Sequence, residues 1–209
     1  TYVQKSANGK EYAITGISSI DEIALVNIQG SGMIGVAGIS GRLFTALSSN
    51  AISVILISQA SSEHSICFSI DPKNAQRASD ILEKEFATEI NLGYIDSISI
   101  EKNLSIIAIV GEGMKKSSGV SGKLFSVLGK NGINVVATAQ GSSELNISVV
   151  IAKSDLSKAL NAIHGVFFQS ETRSLNLFIV GVGLIGSTLL EQIRNQTEYL
   201  REEKLLNLN

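Results

Sequence analysis

Strand-like and helix-like patterns of apolar residues alternate along most of the chain, in the same order twice. Residues 23–29 and 104–110 are short apolar runs of strand length, and each leads into a glycine-rich loop. Apolar side chains then recur at helical spacing over residues 36–49 and 118–130, which predicts an amphipathic helix after each loop. The pattern continues with two strands and a second helix, at 52–59, 64–70 and 72–88 and again at 133–140, 145–151 and 154–164.

An internal repeat accounts for this doubling. When the chain is shifted by 81 positions, residues 24–70 align with residues 105–151 without a gap, and 19 of the 47 aligned positions are identical. A gapless repeat of this length is too long for a solenoid unit, so the sequence predicts a duplicated small domain. We call the two halves of the repeat, with the elements that follow each, the first copy and the second copy.

The first copy has one strand more than the second. Residues 94–101 complete the order β-α-β-β-α-β of a ferredoxin-like α+β sandwich, and the second copy has no strand at the equivalent point. Residues 12–20, upstream of the first copy, have the same rhythm as 94–101, so we expect them to supply the missing strand. The first copy is then inserted into the second. The alternative is that the second copy has three strands and residues 12–20 belong to a preceding domain, but this leaves an exposed sheet edge, which is a liability.

Composition limits the classes of function. Hydrophobic residues make up 44% of the 209 residues and charged residues 17%, which is typical of a packed globular protein and excludes global disorder. The formal charge of −2 and the lack of a basic stripe predict no nucleic-acid partner, and no apolar run is long enough to span a membrane. A single cysteine, Cys67, fits a reducing cytoplasm. Two histidines and one cysteine in the whole sequence predict no His/Cys metal site, and we expect no catalytic residue in the chain.

A second type of motif follows the repeat. Gly181, Gly183 and Gly186 are spaced as G-x-G-x-x-G, between a predicted strand at 175–180 and a predicted helix at 187–200. This context is typical of a dinucleotide-binding turn, in which the glycines allow a tight turn, close approach of a pyrophosphate and close packing of the helix. The acidic residue that binds the ribose lies about 20 residues further on in such proteins. With one strand and one helix, we expect an incomplete Rossmann-type βα unit that does not transfer hydride.

These motifs together resemble one family of enzymes. The stretches ISQASSEHSICFSID and TAQGSSELNISVV are similar to the regulatory region of aspartate kinases, with paired ACT domains, and FIVGVGLIGSTLLEQI is similar to the start of a homoserine dehydrogenase. In this order they resemble the middle of a bifunctional aspartokinase/homoserine dehydrogenase. The resemblance implies two interlocked ferredoxin-like ACT domains followed by a Rossmann-type start. The expected boundaries are 22–101 for the first domain, 10–21 plus 102–168 for the second, and 172–209 for the truncated NAD(P)-binding part.

The resemblance also implies an effector site. In this family the ACT pair binds an end-product amino acid, typically threonine, near interfaces between ACT pairs, which implies a homodimer or higher oligomer. The family's threonine-contacting glutamines match Gln59 and Gln140. The remaining candidate effector-binding residues lie in the same strands and in the two glycine-rich loops: Ile57, Thr138, Met33, Gly35, Gly38, Met114 and Gly119. For the cofactor we expect Gly181, Gly183 and Gly186 to bind NAD(P), which, like ATP and Mg²⁺, belongs to the full-length parent.

The chemistry of the residues agrees with an amino-acid ligand. Each glycine-rich loop ends at a helix N-terminus, whose free amide groups and partial positive charge suit a carboxylate. The neutral amides of Gln59 and Gln140 can serve an ammonium and a side-chain hydroxyl. The strands 52–59 and 133–140 contain no charge, which disfavours lysine as the effector.

Other polar residues have simpler interpretations. Cys67 aligns with Ser148 on an apolar strand and is interpreted as a small buried residue rather than a nucleophile. His64 and His164 have no partnered base, so neither is assigned a catalytic role. Lys115 and Lys116 are interpreted as a solvated loop, with contact to an anion as the lesser alternative.

Three functions remain open on the sequence alone. The favoured one is a regulatory, threonine-sensing ACT pair that controls attached catalytic domains by allosteric inhibition. The alternatives are an NAD(P)-dependent oxidoreductase and an oligomerisation module without a ligand. We also expect the chain to be a fragment of a longer protein, since it begins without methionine and ends in an apolar run.

Overall fold

The computed structural model describes residues 13–33, 36–59, 65–141, 145–168, 173–181, 183–202 and 206–208. Within them the chain divides into two compact units, Thr1–Ile163 and His164–Asn209. The strands are β1 (Gly16–Gln29), β2 (Val54–Gln59), β3 (Ser65–Ile70), β4 (Ser97–Val110), β5 (Ala137–Gln140), β6 (Asn146–Ala152), β7 (Arg173–Leu175) and β8 (Leu206–Leu208). The helices are α1 (Ile39–Ser49), α2 (Ala75–Glu85), α3 (Ala87–Asn91), α4 (Val120–Lys130), α5 (Leu156–Phe167) and α6 (Leu184–Glu202).

The described strands β1 to β6 form one antiparallel sheet in the first unit. Their order is β2-β3-β1-β4-β6-β5, so the first copy supplies one end of the sheet and the second copy the other. The two long strands β1 and β4 lie at the centre and pair with each other along their whole length. Each copy therefore contributes the same three-strand pattern on its own side of a shared centre.

The central strands are each shared between the two copies. Residues 16–20 of β1 pair with residues 106–110 of β4, while residues 25–29 of β1 pair with residues 97–101 of β4. Adding 81 to the β1 partner and subtracting 81 from the β4 partner of the first pairing gives the second, with the strands exchanged. The backbone hydrogen bonds that open each pairing obey the same rule, since Thr15 N donates to Val110 O at 2.7 Å and Asp96 N donates to Gln29 O at 2.8 Å. Residues 16–20 thus lie beside the second copy and residues 97–101 beside the first.

The continuity of these strands differs from the sequence prediction. We predicted separate strands at 12–20 and 23–29 and at 94–101 and 104–110, whereas β1 and β4 are each unbroken. The pairing shifts register between Ile20 and Leu25, and Asn103 has a positive φ of 60°, so the chain passes from one copy to the other through a local irregularity. The domain boundaries at 22–101 and 102–168 stay a prediction.

The helices of the first copy pack on one face of the sheet. Leu43 and Leu47 of α1 and Leu82 of α2 are buried against Val26 and Phe68 of the strands. Each such side chain contributes about 2 kcal/mol of apolar burial. The second copy buries the equivalent set: Ile107, Leu124, Leu128, Val149 and Ile163.

The predicted second helices start with a tighter turn. The chain forms 3₁₀ turns at Pro72–Asn74 and Lys153–Asp155 before α2 and α5. Asp71 caps the first of these, since its carboxylate accepts a hydrogen bond from Lys73 N at 2.9 Å. The helix predicted over 72–88 is interrupted at the fully buried Phe86, after which α3 continues the chain.

The opposite face of the sheet carries a second apolar cluster. Leu25, Leu56, Leu104 and Val150 are buried there, with Ala137 packed against them. The strands β2 and β5, at the two ends of the sheet, contact each other. The sheet therefore curves around this cluster until its ends meet.

The second unit contains a small parallel strand pair. Strand β7 pairs with β8 in parallel, and helix α6 connects them. The prediction of a strand at 175–180 was wrong, because β7 ends at Leu175 and residues 176–180 form no strand. An apolar run becomes a buried strand where neighbouring strands cover it, and Phe178 and Val180 are 88% and 100% exposed. Strand β8 was not predicted.

No helix in the described part of the chain has both the length and the apolar character needed to cross a lipid bilayer.

Candidate functional site

Two cavities occupy equivalent places in the two copies. The first pocket, of about 240 Å³, lies between the start of α1 and the end of β2. The second pocket, of about 360 Å³, lies between the start of α4 and the end of β5. Eight lining positions of one pocket correspond to eight of the other by the shift of 81: Met33/Met114, Val36/Ser117, Ala37/Ser118, Gly38/Gly119, Ile39/Val120, Ser40/Ser121, Gln59/Gln140 and Ile66/Ile147.

A glycine in the left-handed region opens the helix beside each pocket. Gly38 has a φ of 93° and Gly119 a φ of 86°, a conformation that other residues rarely adopt. The carbonyl oxygens of these glycines accept the first helical hydrogen bonds, from Arg42 N at 2.9 Å and from Lys123 N at 2.8 Å. Neither glycine has a side chain that could cap the helix. The first-turn amide groups and the positive end of the helix dipole are thus left for a ligand.

The two glutamines close the pockets from the strand side. Gln59 is the last residue of β2 and lies opposite Ile66, and Gln140 is the last residue of β5 and lies opposite Ile147. Both isoleucines line their pocket with the glutamine. Each pocket therefore combines a neutral amide, an apolar wall and a helix N-terminus.

The methionines form the inner wall. Met33 and Met114 follow equivalent close-packed glycines, Gly30 and Gly111, and are 4% and 7% exposed. A Cβ atom on Gly30 would lie 2.1 Å from Tyr94 O, and one on Gly111 would lie 2.6 Å from the Cα of Ile14. Only glycine allows each loop to approach the segment just before the strand that completes its copy, residues 94–95 or 13–15, and this approach positions the methionines.

Some predicted residues do not line a cavity. Ile57 and Thr138 lie two residues before the glutamines on the same face of their strands, and both are exposed. They do not line either pocket. Gly35 lies outside the described residues.

Other lining residues were missed by sequence reasoning. Ser40 and Ser121 lie in the first turn of α1 and α4 and line the two pockets. They are identical in the two copies and follow the positive-φ glycines by two residues, a signal that was available in the alignment. Lys115 and Lys116, interpreted as a solvated loop, are exposed but also line the second pocket.

An ion-pair cluster lies on the helices of the first copy. Arg42 Nε donates to Glu85 Oε1 at 2.8 Å, and Arg42 also forms an ion pair with Glu89 and lies 4.8 Å from the ring centre of Phe86. The hydrogen bond from Arg42 lowers the pKa of Glu89, and the bonds to Glu89 and Glu85 raise the pKa of Arg42. The cluster joins α1 to α2 and α3 and so supports the helix that borders the first pocket.

The single cysteine does not offer a reactive thiol. Burial, with the negative charge of Glu101 as a lesser cause, raises the pKa of Cys67 to about 11, so the thiol is protonated at neutral pH and is a poor nucleophile. Among the described residues there is no group of three histidine, cysteine or acidic side chains that could hold a metal ion.

The glycine motif of the second unit forms a turn before α6. Gly181 has a φ of 93°, and Ser187 N donates to Gly183 O at 2.9 Å. A Cβ atom on Gly186 would lie 2.3 Å from Gly181 O, so the third glycine is required for the helix to pack on the turn. Helix α6 begins at Leu184, three residues earlier than predicted.

Each copy of the repeat matches the same family of known domains. An ACT-domain family profile matches residues 26–86 and residues 107–167, one match in each copy. The chain is 40% identical over 203 residues to the bifunctional aspartokinase/homoserine dehydrogenase of Haemophilus influenzae, a match that covers 97% of this chain and 25% of that protein. It is 44% identical over 195 residues to the chloroplastic bifunctional aspartokinase/homoserine dehydrogenase 1 of Arabidopsis thaliana, covering 93% of this chain and 21% of that protein. The chain thus spans about a quarter or less of the length of these curated relatives.

A solved structure shows the same arrangement of elements. The regulatory subunit of aspartate kinase from Thermus flavus has 26% sequence identity and a TM-score of 0.64, and the match covers 74% of this chain and 98% of that chain. The predicted α+β class and the ACT-domain fold are confirmed, with the described strands of the first unit forming one antiparallel six-stranded sheet. From the two family matches and the shared fold, we conclude that this chain belongs to the ACT-domain family.

Proposed function

We propose that the chain is the regulatory segment of a bifunctional aspartokinase/homoserine dehydrogenase and that its two pockets bind threonine as a feedback effector. The observation that supports this most is the pairing, in each pocket, of an uncapped helix N-terminus with a strand-end glutamine. The names of the similar curated proteins supply the enzymes to which such a segment is attached.

The pocket chemistry fits a small hydroxyl-bearing amino acid. The ligand carboxylate would lie at the N-terminus of α1 or α4, where free amide groups and the helix dipole favour an anion. Gln59 or Gln140 would accept a hydrogen bond from the ammonium through its amide oxygen, and Ser40 or Ser121 would bond the ligand hydroxyl. No acidic side chain lines either pocket among the described residues, which disfavours a second ammonium and so disfavours lysine.

Regulation would follow from a preference of threonine for one arrangement of the ACT units. A ligand shifts an equilibrium only by its difference in affinity for the two states, typically about 1–3 kcal/mol in allosteric proteins. The shared strands β1 and β4 offer a mechanical link, because a shift in one copy would move a strand that also belongs to the other. The phosphorylation of aspartate and the ATP and Mg²⁺ that it requires would belong to the attached kinase domain.

Oligomerisation through the ACT units is part of the proposal. Ile55 and Ile57 on the terminal strand β2 are 42% and 47% exposed, and apolar residues on a sheet edge favour contact with another chain. We expect a homodimer or higher assembly in the cytoplasm, and light scattering after size-exclusion chromatography measures it directly.

The second unit would be the start of the NAD(P)-binding domain of the dehydrogenase. Gly181, Gly183 and Gly186 would hold the pyrophosphate at the N-terminus of α6, and the close contact of Gly186 with Gly181 O fits this role. NAD(P) would supply hydride transfer in the full-length protein. In such proteins an acidic side chain at the end of a second strand binds the ribose, and none stands at that point among the described residues of this unit.

The chain contains a natural pair of probes for testing threonine binding. It has two methionines, and Met33 lines the first pocket while Met114 lines the second. Protein labelled with [ε-¹³C]methionine should therefore give one methyl NMR signal for each pocket, assigned with Met33→Leu and Met114→Leu. We expect L-threonine to shift both signals in a saturable manner.

The glutamine variants separate the two pockets. Gln59→Ala should weaken binding at the Met33 signal about 10- to 100-fold, the usual effect of losing a hydrogen bond to a charged group, and leave the Met114 signal unchanged. Gln140→Ala should weaken threonine binding at the Met114 signal and leave binding at the Met33 signal unchanged. Gln76 is an exposed glutamine on α2, and Gln76→Ala should leave binding at both signals unchanged. Threonine that moves neither methyl signal at millimolar concentration contradicts the proposed effector.

A further inference from the structure

A smaller cavity adjoins the first pocket. It has a volume of about 150 Å³ and is bordered by the 3₁₀ turn Ser31–Met33, the start of α1, helix α3 and residues 92–95. Met33, Val36 and Ile39 line both this cavity and the first pocket, so the two spaces share a wall. We call the smaller space the side cavity.

Backbone hydrogen bonds hold the walls of the side cavity together. Gly32 N donates to Tyr94 O at 3.1 Å, and the amide groups of Tyr94 and Ile95 donate to Glu89 O at 2.8 Å and 3.2 Å. Tyr94 also packs closely on Gly32, where a Cβ atom would lie 2.5 Å from the Cα of Tyr94. These contacts fix α3 and the segment after it against the 3₁₀ turn, so the side cavity is preformed.

Apolar side chains line most of the side cavity. Three of them are buried: Met33, Ile39 and Ile95. Three others are between 49% and 61% exposed: Val36, Leu92 and Tyr94. Exposed apolar side chains beside a buried apolar wall are typical of a site that binds an apolar group. A cavity of about 150 Å³ is large enough for benzene, which has about six heavy atoms.

One wall of the side cavity carries an unbalanced negative charge. Arg42 forms ion pairs with both Glu85 and Glu89, so one cation serves two carboxylates. Glu89 lines the side cavity, and its second carboxylate oxygen, Oε2, is buried and has no hydrogen-bond partner. A buried carboxylate oxygen without a donor costs free energy. The terminal torsion of a glutamate side chain is soft, so Oε2 can turn toward a ligand that brings a donor and a positive charge.

The two copies differ at this place. In the first copy the helix breaks at Phe86, and α3 then supplies Glu89. In the second copy α5 runs unbroken to Phe167, the position equivalent to Phe86, and no helix among the described residues corresponds to α3. A ligand of the side cavity would therefore act on the first copy.

We propose that the side cavity binds a small apolar amine, an ammonium group on a branched hydrocarbon body of about five carbon atoms, with Glu89 as the partner of the ammonium. Such a ligand is either a free amino acid with an apolar side chain or an amine without a carboxylate. The inference goes beyond threonine binding and does not depend on it. Because Met33, Val36 and Ile39 are shared, an occupied side cavity would change one wall of the first pocket.

Three ligands with the same branched body separate the contributions. 3-Methylbutylamine carries the ammonium, 3-methylbutan-1-ol has a hydroxyl in its place, and L-leucine adds a carboxylate to the amine. In the full chain labelled with [ε-¹³C]methionine, the amine should shift the Met33 signal in a saturable manner and leave the Met114 signal unchanged. It should bind about tenfold more tightly than the alcohol, the usual effect of a hydrogen bond to a charged group.

The comparison of L-leucine with the amine identifies the source of the ligand. Binding of L-leucine at least as tight as that of 3-methylbutylamine assigns a free amino acid, with its carboxylate outside the cavity. Weaker binding of L-leucine assigns an amine without a carboxylate, because a carboxylate near Glu89 is then repelled.

Glu89→Gln and Glu85→Gln form a matched pair of variants. Each removes one carboxylate charge from the cluster around Arg42, but of these two residues Glu89 alone lines the side cavity. Glu89→Gln should abolish the preference for the amine over the alcohol, and Glu85→Gln should keep it. Urea unfolding checks that both variants are folded.

Two further variants test the location of the site. Leu92→Ala, at an exposed lining position, should weaken binding of the amine and of the alcohol alike, by about threefold, because apolar contact is lost. Gln59→Ala changes the first pocket but not the side cavity, so it should leave amine binding unchanged.

The outcomes separate this inference from the proposed function. The inference is overturned if the amine leaves the Met33 signal unmoved at millimolar concentration, if the amine and the alcohol bind equally, or if the preference survives Glu89→Gln. Loss of amine binding in Gln59→Ala would place the amine in the first pocket and also overturn it. Threonine binding is measured in the same samples, so threonine that binds where the amine does not supports the proposed function alone, and the reverse result supports the side cavity alone.

Discussion

Helix α1 of the first copy has Arg42 where helix α4 of the second copy has Lys123, and the loop before α1 has Ile34 and Gly35 where the second copy has two lysines. The buried positions change far less. Leu43 and Leu124 are both fully buried, and Gly38 and Gly119 have the same unusual backbone conformation. The comparison shows that the repeat conserves the buried leucines and the helix-opening glycines and varies the exposed residues of the loop before the helix. Specificity for a ligand can diverge at these exposed positions without loss of the fold.

The largest expected effect tests whether the buried cores of the two copies contribute equally to stability. Leu43→Ala and Leu124→Ala should each lower the free energy of unfolding by about 2–5 kcal/mol, because each leaves a cavity in a packed core. Urea unfolding followed by circular dichroism measures this, and the two values should agree within about 1 kcal/mol. Thr45→Ala and Ser126→Ala, at exposed equivalent positions, serve as controls with changes of about 0.5 kcal/mol or less.

The same experiment tests the coupling of the copies. Since β1 and β4 each run through both copies, we expect one unfolding transition for the first unit in all four variants. Two separate transitions in Leu124→Ala would show that the copies unfold independently and that the shared strands do not join them.

The next effect concerns the close approach of each glycine-rich loop to a strand. Gly30→Ala and Gly111→Ala should each destabilise by about 1–3 kcal/mol, because the added Cβ meets backbone atoms that must move. The free energy of unfolding is again the measurement. Gly41→Ala and Gly122→Ala, where nothing lies within 4 Å of the new atom, should be neutral or stabilising by up to about 1 kcal/mol because alanine favours a helix. If Gly111→Ala left the free energy of unfolding unchanged, the loop of the second copy would not pack against residues 13–15.

The smallest effect concerns the ion-pair cluster of the first copy. Arg42→Lys installs the residue of the second copy and should lower the free energy of unfolding by about 1 kcal/mol at pH 7, because lysine cannot bond Glu85 and Glu89 at once. The loss is small because these charged groups are partly exposed. The hydrogen bond from Arg42 lowers the pKa of Glu89 in the folded protein. The ion pair therefore stabilises the folded state fully above the ordinary carboxylate pKa, and this stabilisation is lost as the pH falls through the lowered pKa.

The pH dependence of this difference is the sharper test. The part of the difference between wild type and Arg42→Lys that depends on Glu89 should be present at pH 7 and smaller at pH 3. Urea unfolding at the two pH values measures it. A difference that is the same at both would assign the effect to the packing of Arg42 on Phe86 instead.

Much of the pocket could be predicted from the sequence because it consists of repeated, local features. The glycine at the start of each helix, the strand-end glutamines and the serines of the first turn recur at a spacing of 81, and their roles depend on local backbone geometry. Lys115 and Lys116 could not be placed in this way, because their contribution depends on which wall of the cavity the 3₁₀ turn faces. Ile57 and Thr138 share the strand face of the glutamines but lie beyond the reach of the cavity.

The sequence by itself determined the duplication, the types of most elements and the faces that they bury, because apolar periodicity and the positions of glycine act over a few neighbouring residues. It could not determine that β1 and β4 are each one strand shared by both copies, or that residues 176–180 are not a strand. Only the tertiary structure decided these, since backbone hydrogen bonds between strands about 80 residues apart are nearly independent of side-chain identity. The partner of a strand is therefore chosen by the packing of the whole sheet.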